Sequence, residues 1–207
     1  MNTLIITTVA VLTLWSLYGY FGSRVEQATY TVIKKGSGYE IRNYPSHIVA
    51  QTVVTGTYSD SMRQGFTIVA GYIFGGNTKK ESIAMTSPVT MQNPASEKIA
   101  MTSPVLVSNE GSSRIISFGM PKSYTLETLP KPTDTRVNIV EVPEKKYALI
   151  RFAGYRTNAR IQKMEKVLLD ILSKDKIETV GAPSYAGYNA PGTPPWMTRN
   201  EVLIETK

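Results

Sequence analysis

From Met1 to Ser23 no side chain carries a charge, and the stretch from Leu4 to Phe21 is almost entirely apolar. An α-helix rises about 1.5 Å per residue, so about 20 such residues cross a hydrocarbon layer of roughly 30 Å. The run is apolar all round and lacks the one-sided pattern of a helix lying on a globular core. Trp15, Tyr18 and Tyr20 gather toward its C-terminal end, where amphipathic rings favour the headgroup level. A cleaved leader has a basic start and a small-x-small cleavage site. This start has neither Lys nor Arg, and the residues around Gly22 and Ala28 do not supply the pattern. The expectation is a retained single-pass anchor (or an uncleaved signal) over residues 1–23, a short linker, 24–29, and one globular domain, 30–207. Positive charge follows the run at Arg24, Lys34 and Lys35, which leans toward a cytoplasmic domain. Glu26 sits among them, so the side of the membrane stays open.

Composition removes several kinds of chemistry. The chain has no cysteine, which excludes disulfides, thiolate metal sites and cysteine nucleophiles. The net charge is +7, yet the densest basic clusters are the pairs Lys34-Lys35, Lys79-Lys80 and Lys145-Lys146. Nothing resembles a recognition helix or an aromatic RNA-binding motif, so nucleic acid is not an expected partner. There is a single histidine, His47. No paired catalytic carboxylates and no metal-ligand spacing stand out, so the chain reads as a binding protein rather than an enzyme.

Beyond the anchor, short β-like segments alternate with turn residues. Tyr30-Lys34, Tyr39-Tyr44, Ile48-Thr55, Arg114-Gly119, Val137-Val142, Lys146-Phe152 and Asn200-Glu205 read as strands. Two stretches have helical periodicity instead. In Ser59-Phe74, the residues Met62, Phe66, Val69 and Ile73 share a face, with Ser59 as expected N-cap and Gly75-Gly76 as the stop. In Asn158-Lys174, Ile161, Met164, Leu168 and Ile171/Leu172 do the same, with Asn158 at the N-cap position. The order of strands and helices predicts an α+β fold of two similar halves. Tyr185, Tyr188, Trp196 and Met197, threaded with Pro191, Pro194 and Pro195, read as a stiff surface loop before the last strand.

One string of seven occurs twice: Ile83-Ala84-Met85-Thr86-Ser87-Pro88-Val89 and Ile99-Ala100-Met101-Thr102-Ser103-Pro104-Val105. Two copies are too few for a solenoid. Strand entries with an edge proline and gap-filling methionines account for the residue types. They do not account for the identity of the two strings. Together with Tyr39-Glu40-Ile41-Arg42, Tyr44-Pro45 and Gly71-Tyr72-Ile73-Phe74-Gly75-Gly76-Asn77, these strings carry a resemblance. It continues through Phe118-Gly119-Met120-Pro121, Tyr124-Thr125-Leu126, Leu129-Pro130-Lys131-Pro132 and Ile150-Arg151-Phe152-Ala153-Gly154. It ends with Tyr188-Asn189-Ala190-Pro191 and Arg199-Asn200-Glu201-Val202. In these residues the chain, from about Tyr30 onward, resembles the SOUL haem-binding family.

The resemblance implies a distorted antiparallel β-barrel of two related halves, each with one long helix, similar to the effector-binding domains of some bacterial regulators. It implies non-covalent binding of haem or another tetrapyrrole, without an established catalytic activity. A haem is an apolar disc with two carboxylates, so its seat needs an apolar wall and one or two cations. The first helix of the domain is the expected wall: Met62, Phe66, Val69 and Ile73 as apolar contacts, with Arg63, Lys79 or Lys80 toward the propionates. The same stripe is also what packing on a sheet would require. His47 is the one possible histidine ligand to iron, and Met85, Met101 and the tyrosines are others in principle. The resulting expectation is a membrane-tethered haem or tetrapyrrole binder acting as carrier, buffer or sensor. The alternatives are a module for other planar amphipathic molecules and a tetrapyrrole-modifying enzyme.

Overall fold

The computed structural model describes residues 2–22, 25–79, 96–110 and 113–207. The chain opens with helix α1 (Asn2–Gly22), strands β1 (Glu26–Gln27), β2 (Thr31–Lys35), β3 (Glu40–Tyr44) and β4 (His47–Thr55), and helix α2 (Tyr58–Ile73). Strands β5 (Asn77–Thr78), β6 (Thr102–Ser103), β7 (Val105–Glu110), β8 (Ser113–Gly119), β9 (Lys131–Pro132), β10 (Asn138–Val142) and β11 (Lys145–Phe152) follow. Helix α3 (Asn158–Lys174), β12 (Thr179–Gly187), a one-turn helix at Pro195–Met197 and β13 (Asn200–Thr206) complete the chain.

Nine strands form one sheet in the order β10-β4-β8-β7-β12-β13-β11-β3-β2, and each pairing within it is antiparallel. The barrel expected from the resemblance is corrected here: β10 and β2 are not paired, and the sheet is open. The outer strand shows why it ends where it does. Strand β2 is exposed at every residue, carries Lys34 and Lys35, and slips register between Val32 and Lys34. Charges and bulges of this kind discourage a further strand. The chain runs β4, α2, β7, β8, with the two-residue strands β5 and β6 between α2 and β7, and later β11, α3, β12, β13. Across the sheet they lie as β4-β8-β7 beside β12-β13-β11.

Both helices cover the same face of the sheet. Ile68, Val69, Tyr72 and Ile73 of α2 share one buried cluster with Ile161, Leu168 and Leu172 of α3, Ile116 and Phe118 of β8, and Val202 and Ile204 of β13. The buried side of α2 runs through Ser61, Gly65, Ile68, Val69, Tyr72 and Ile73, so small residues bring the helix close. A Cβ at Gly65 would lie 2.3 Å from Ile116 Cγ1. Met62 and Phe66 flank this contact half-buried, and the Phe66 ring meets Phe118 edge-on at 5.3 Å.

The caps fall on threonines rather than on the residues expected. Thr57 and Thr157, both extended, accept from the backbone N–H of Asp60 and Arg160, which satisfies an orphan donor at each helix start. At the far end of α2, Gly75 takes φ +114, Gly76 N–H donates to Gly71 O at 2.8 Å and Gly75 N–H to Tyr72 O at 3.4 Å. This is a Schellman ending, which needs a residue free to adopt positive φ.

Helix α1 is long and apolar enough to cross a membrane. Its last two turns are not free, because they lie on the Ala190–Met197 loop. The chain between α1 and the sheet is pinned as well. Strand β1 pairs with β6 in parallel, Ala28 N–H donates to Ser103 O at 2.9 Å, and Arg199 donates to Gln27 Oε1 at 3.0 Å.

Candidate functional site

Successive side chains of a strand point to opposite faces, so the sheet has a second surface that the helices leave uncovered. On β8, Ile116 and Phe118 face the helices, while Ile115, Ser117 and Gly119 face the other way. There they line a cavity of about 790 Å³, within the range that holds drug-sized ligands. Gln51, Leu106, Ser108, Ala186 and Leu203 continue its floor, and Tyr44, Tyr147 and Tyr188 close one end. Burial pushes the phenols of Tyr44 and Tyr147 above their ordinary range, so both remain neutral near pH 7.

The rim is built from loops. One side is the linker segment Glu26–Thr29 and the second copy of the repeated string, with Thr102, Ser103 and Pro104 in the wall. Thr102 Oγ1 donates to Gly119 O, which holds that string against the end of β8. Ile99 and Met101 of the same copy turn into the helix-side core. The first copy, with Met85, lies outside the described residues. Met120, Pro121, Tyr124 and Leu126 form the opposite side.

His47 lines this cavity. Its Nδ1 stands 2.9 Å from the Pro45 carbonyl. A carbonyl only accepts, so Nδ1 carries a proton and Nε2 is the nitrogen left to meet a ligand. Lys122 is the only lysine or arginine among the described lining residues, which also include Glu26, Glu127 and Glu141. Among the described residues, no group of three or more His, Asp or Glu is placed to hold a bare metal ion.

The other residues expected to form the site are placed elsewhere. Val69 and Ile73 have no exposed surface and belong to the core between α2 and the sheet. Contact between a ligand and either one would require the helix to part from the sheet. Arg63 lies on the outer side of α2, 3.7 Å from Asp60, and Lys79 is exposed just past the helix exit. Lys80 is outside the described residues. The structure brings Met62, Phe66, Val69 and Ile73 together on the helix-side core, whereas His47 is on the cavity side of the sheet.

Behind the tyrosine end of the cavity lies a buried ionic cluster that residue pattern alone did not single out. Glu201, with no exposed surface, accepts from Arg42 NH1 at 3.1 and 3.2 Å, from Arg199 Nε and NH2 at 2.9 and 2.7 Å, and from Tyr188 at 2.7 Å. The Arg199 guanidinium lies 3.7 Å from the Tyr188 ring centroid, and Arg42 lies 4.1 Å from that of Tyr30. Burial, with the Glu201 carboxylate beside it, pushes the Tyr188 phenol far above its ordinary range. Tyr44 and Tyr188 thus stand between this cluster and the cavity.

The profile of the SOUL heme-binding protein family matches residues 25–205. The chain is 29% identical to human Heme-binding protein 2 over 156 residues, 74% of this chain and 71% of that one. It is 27% identical to the mouse Heme-binding protein 2 over 179 residues, 82% of each chain. Among solved structures, the C-terminal domain of EcmrR superposes with a TM-score of 0.55 at 7% identity, covering 86% of this chain and 98% of that one. At that identity the likeness is one of fold. Arg42, Tyr44, Tyr188, Arg199 and Glu201 come from two distant stretches of the matched region and meet in the buried cluster, and with the profile running from the linker to the last strand, the chain is a member of the SOUL heme-binding protein family.

Proposed function

We propose that this chain is a membrane-tethered, non-catalytic tetrapyrrole binder whose ligand occupies the cavity on the uncovered face of the sheet. The observation that carries this reading is the cavity itself: about 790 Å³, floored by Leu106, Ile115, Ala186 and Leu203 with Gln51, Ser108 and Ser117 among them, and with His47 on its wall. Its size and its largely apolar floor suit a porphyrin disc. When bound, haem would supply an iron able to take a nitrogen ligand, and His47 would be the lining residue to offer one. Lys122 would pair with a propionate. The mirrored strand order, β4-β8-β7 beside β12-β13-β11, supports two related halves, with the cavity on the face opposite their helices.

The first helix of the domain is the alternative wall, with Met62 and Phe66 half-buried along it and Arg63 exposed beside them. A haem titration followed by Soret absorbance separates the two. It uses the full chain in detergent, measured against protein-free micelles. Ser117→Trp should abolish the saturable shift, and Met62→Ala with Arg63→Ala should leave it. The reverse pattern would move the ligand to the helix, and no saturable shift in the unaltered chain would refute haem binding. His47→Ala should displace the Soret band if His47 meets the iron. A second reading is favoured by the rim, where Glu26, Glu127 and Glu141 outnumber Lys122: a neutral or cationic planar amphiphile in the same cavity. Competition of such a molecule with haem would distinguish it.

A further inference from the structure

One stripe of α1 is in contact with the domain. Trp15, Tyr18, Gly19 and Gly22 stand at i, i+3, i+4 and i+7, and all four meet the loop that follows β12. Trp15 Nε1 donates to the Gly192 carbonyl at 2.7 Å, and the Tyr18 hydroxyl donates to the Pro191 carbonyl at 2.9 Å. The rings of Trp15 and Trp196 meet edge to face with centroids 5.1 Å apart. At Gly19 a Cβ would lie 2.7 Å from Pro194 Cδ, and at Gly22 it would lie 3.6 Å from Ala190 Cβ. The helix is therefore shaped to this loop on one face and bare on the others.

The contact overlaps the apolar span. Trp15 precedes Gly22 by about two turns, so the loop runs roughly 10 Å alongside the helix from its domain end. The stretch long and apolar enough to cross a membrane, Thr3–Gly22, includes all of that contact. If α1 spans the membrane, the loop descends with it. The loop is suited to do so. No residue from Asn189 to Met197 is charged. Two of its carbonyls are satisfied by Trp15 and Tyr18, as backbone in a poorly hydrated layer requires. Trp196 is 53% exposed and Tyr155 is 68% exposed, and the two belong to neighbouring turns because Gly154 N–H donates to Pro195 O at 2.9 Å. Exposed aromatic rings of this kind favour the headgroup level.

We propose that the Asn189–Met197 loop is a second membrane-embedded element, seated in the interfacial layer beside α1, and that it holds the cavity against the lipid surface. Both segments that leave this joint, Glu26–Thr29 and Tyr188, are in the cavity wall. The ligand is then a planar amphiphile drawn from the bilayer rather than from bulk water. This inference rests on the tethered reading above and extends it from the helix to the domain.

The chain has two tryptophans, so Trp15→Phe leaves Trp196 as the only indole. The full-length variant is placed in phosphatidylcholine vesicles carrying a nitroxide at acyl carbon 5 or carbon 16. Trp196 emission should fall by at least half with the shallow nitroxide, less with the deep one, and little with aqueous iodide. The Trp196→Phe chain, reporting from Trp15, should show the same ranking if the two rings lie at one depth. Strong iodide quenching of Trp196 without nitroxide quenching, in a chain that still floats with the vesicles, would overturn the embedded loop and leave the tether standing. A chain that fails to float would overturn the tether and the loop together.

Discussion

Replacing Glu201 by Gln tests whether the buried cluster holds the domain together by charge. The carboxylate is wholly enclosed and accepts from two guanidiniums and a phenol. Glutamine keeps the shape, cancels the charge, and turns one acceptor into an NH₂ that faces other donors. Removing one partner of a buried ion pair costs about 3–5 kcal/mol, because the remaining charge is left uncompensated. Here the lower end applies, since Arg42 keeps Glu40 at 2.6 Å and Arg199 keeps Gln27 at 3.0 Å. For a chain of this size about 3 kcal/mol lowers Tm by roughly 6–12 °C. Thermal unfolding followed by circular dichroism measures it. Lys145→Ala is the comparison: its pair with Glu205 is as short, 2.6 Å, but about a third exposed, so its loss should cost no more than about 1 kcal/mol. Adding Arg42→Met to Glu201→Gln should restore part of the loss, because it removes one of the two buried cations that the carboxylate had offset. A Glu201→Gln chain melting within about 2 °C of the unaltered one would refute the argument.

Two further outcomes follow from packing and from the tyrosines. Gly65→Ala should destabilise by about 1–3 kcal/mol as the new methyl displaces Ile116, whereas Gly71→Ala, with nothing within 4 Å of the added Cβ, should stabilise by up to about 1 kcal/mol; equal signs in urea unfolding would disprove the close approach of α2. Burial pushes Tyr72 up to about 12 and holds Tyr58, Tyr185 and Tyr188 above their ordinary range. These phenols keep their protons in the folded chain after the unfolded chain releases its own near pH 10, so their stabilisation is full below about pH 10 and is lost as pH rises through the raised values. Unfolding midpoints should fall from about pH 10 upward, with the buried phenols' share of the tyrosinate absorbance at 295 nm appearing only as the chain unfolds; a flat midpoint profile across that range would contradict it.

Most of the sheet was legible from residue types. The expected strands at Tyr39-Tyr44, Ile48-Thr55, Arg114-Gly119 and Lys146-Phe152 differ from β3, β4, β8 and β11 by a residue at most, because β-branched and aromatic runs end at clear turn residues. Strand β12 was missed since Gly181 and Pro183 interrupt its pattern, and its register with β13 shifts between Val180 and Ser184. Tyr185 consequently belongs to that strand rather than to the loop after it. Strand β7 hid behind the second copy of the repeat. The seat of the helices was legible, but the period of α2 was centred one residue late, because Ser61 and Gly65 do not look like core residues until a helix must approach a sheet closely. The cavity was hidden for a different reason. Alternation along β8 shows two faces, Ile116 and Phe118 against Ile115 and Ser117, and nothing in one strand says which face will be covered. The ionic cluster joins Arg42 to Glu201 across 159 positions, a distance no local pattern spans.

The pinned linker changes what kind of tether α1 can be. Six flexible residues would let a domain wander over about 13 Å and swivel freely. With β1 paired to β6 and Gln27 held by Arg199, that freedom is gone, and a turn of the helix about its axis must turn the domain with it. On the tethered reading proposed above, the domain would be a body of fixed aspect moving in two dimensions. Its encounters would then be set by lateral diffusion and by which side of the domain faces along the membrane, rather than by the reach of a leash.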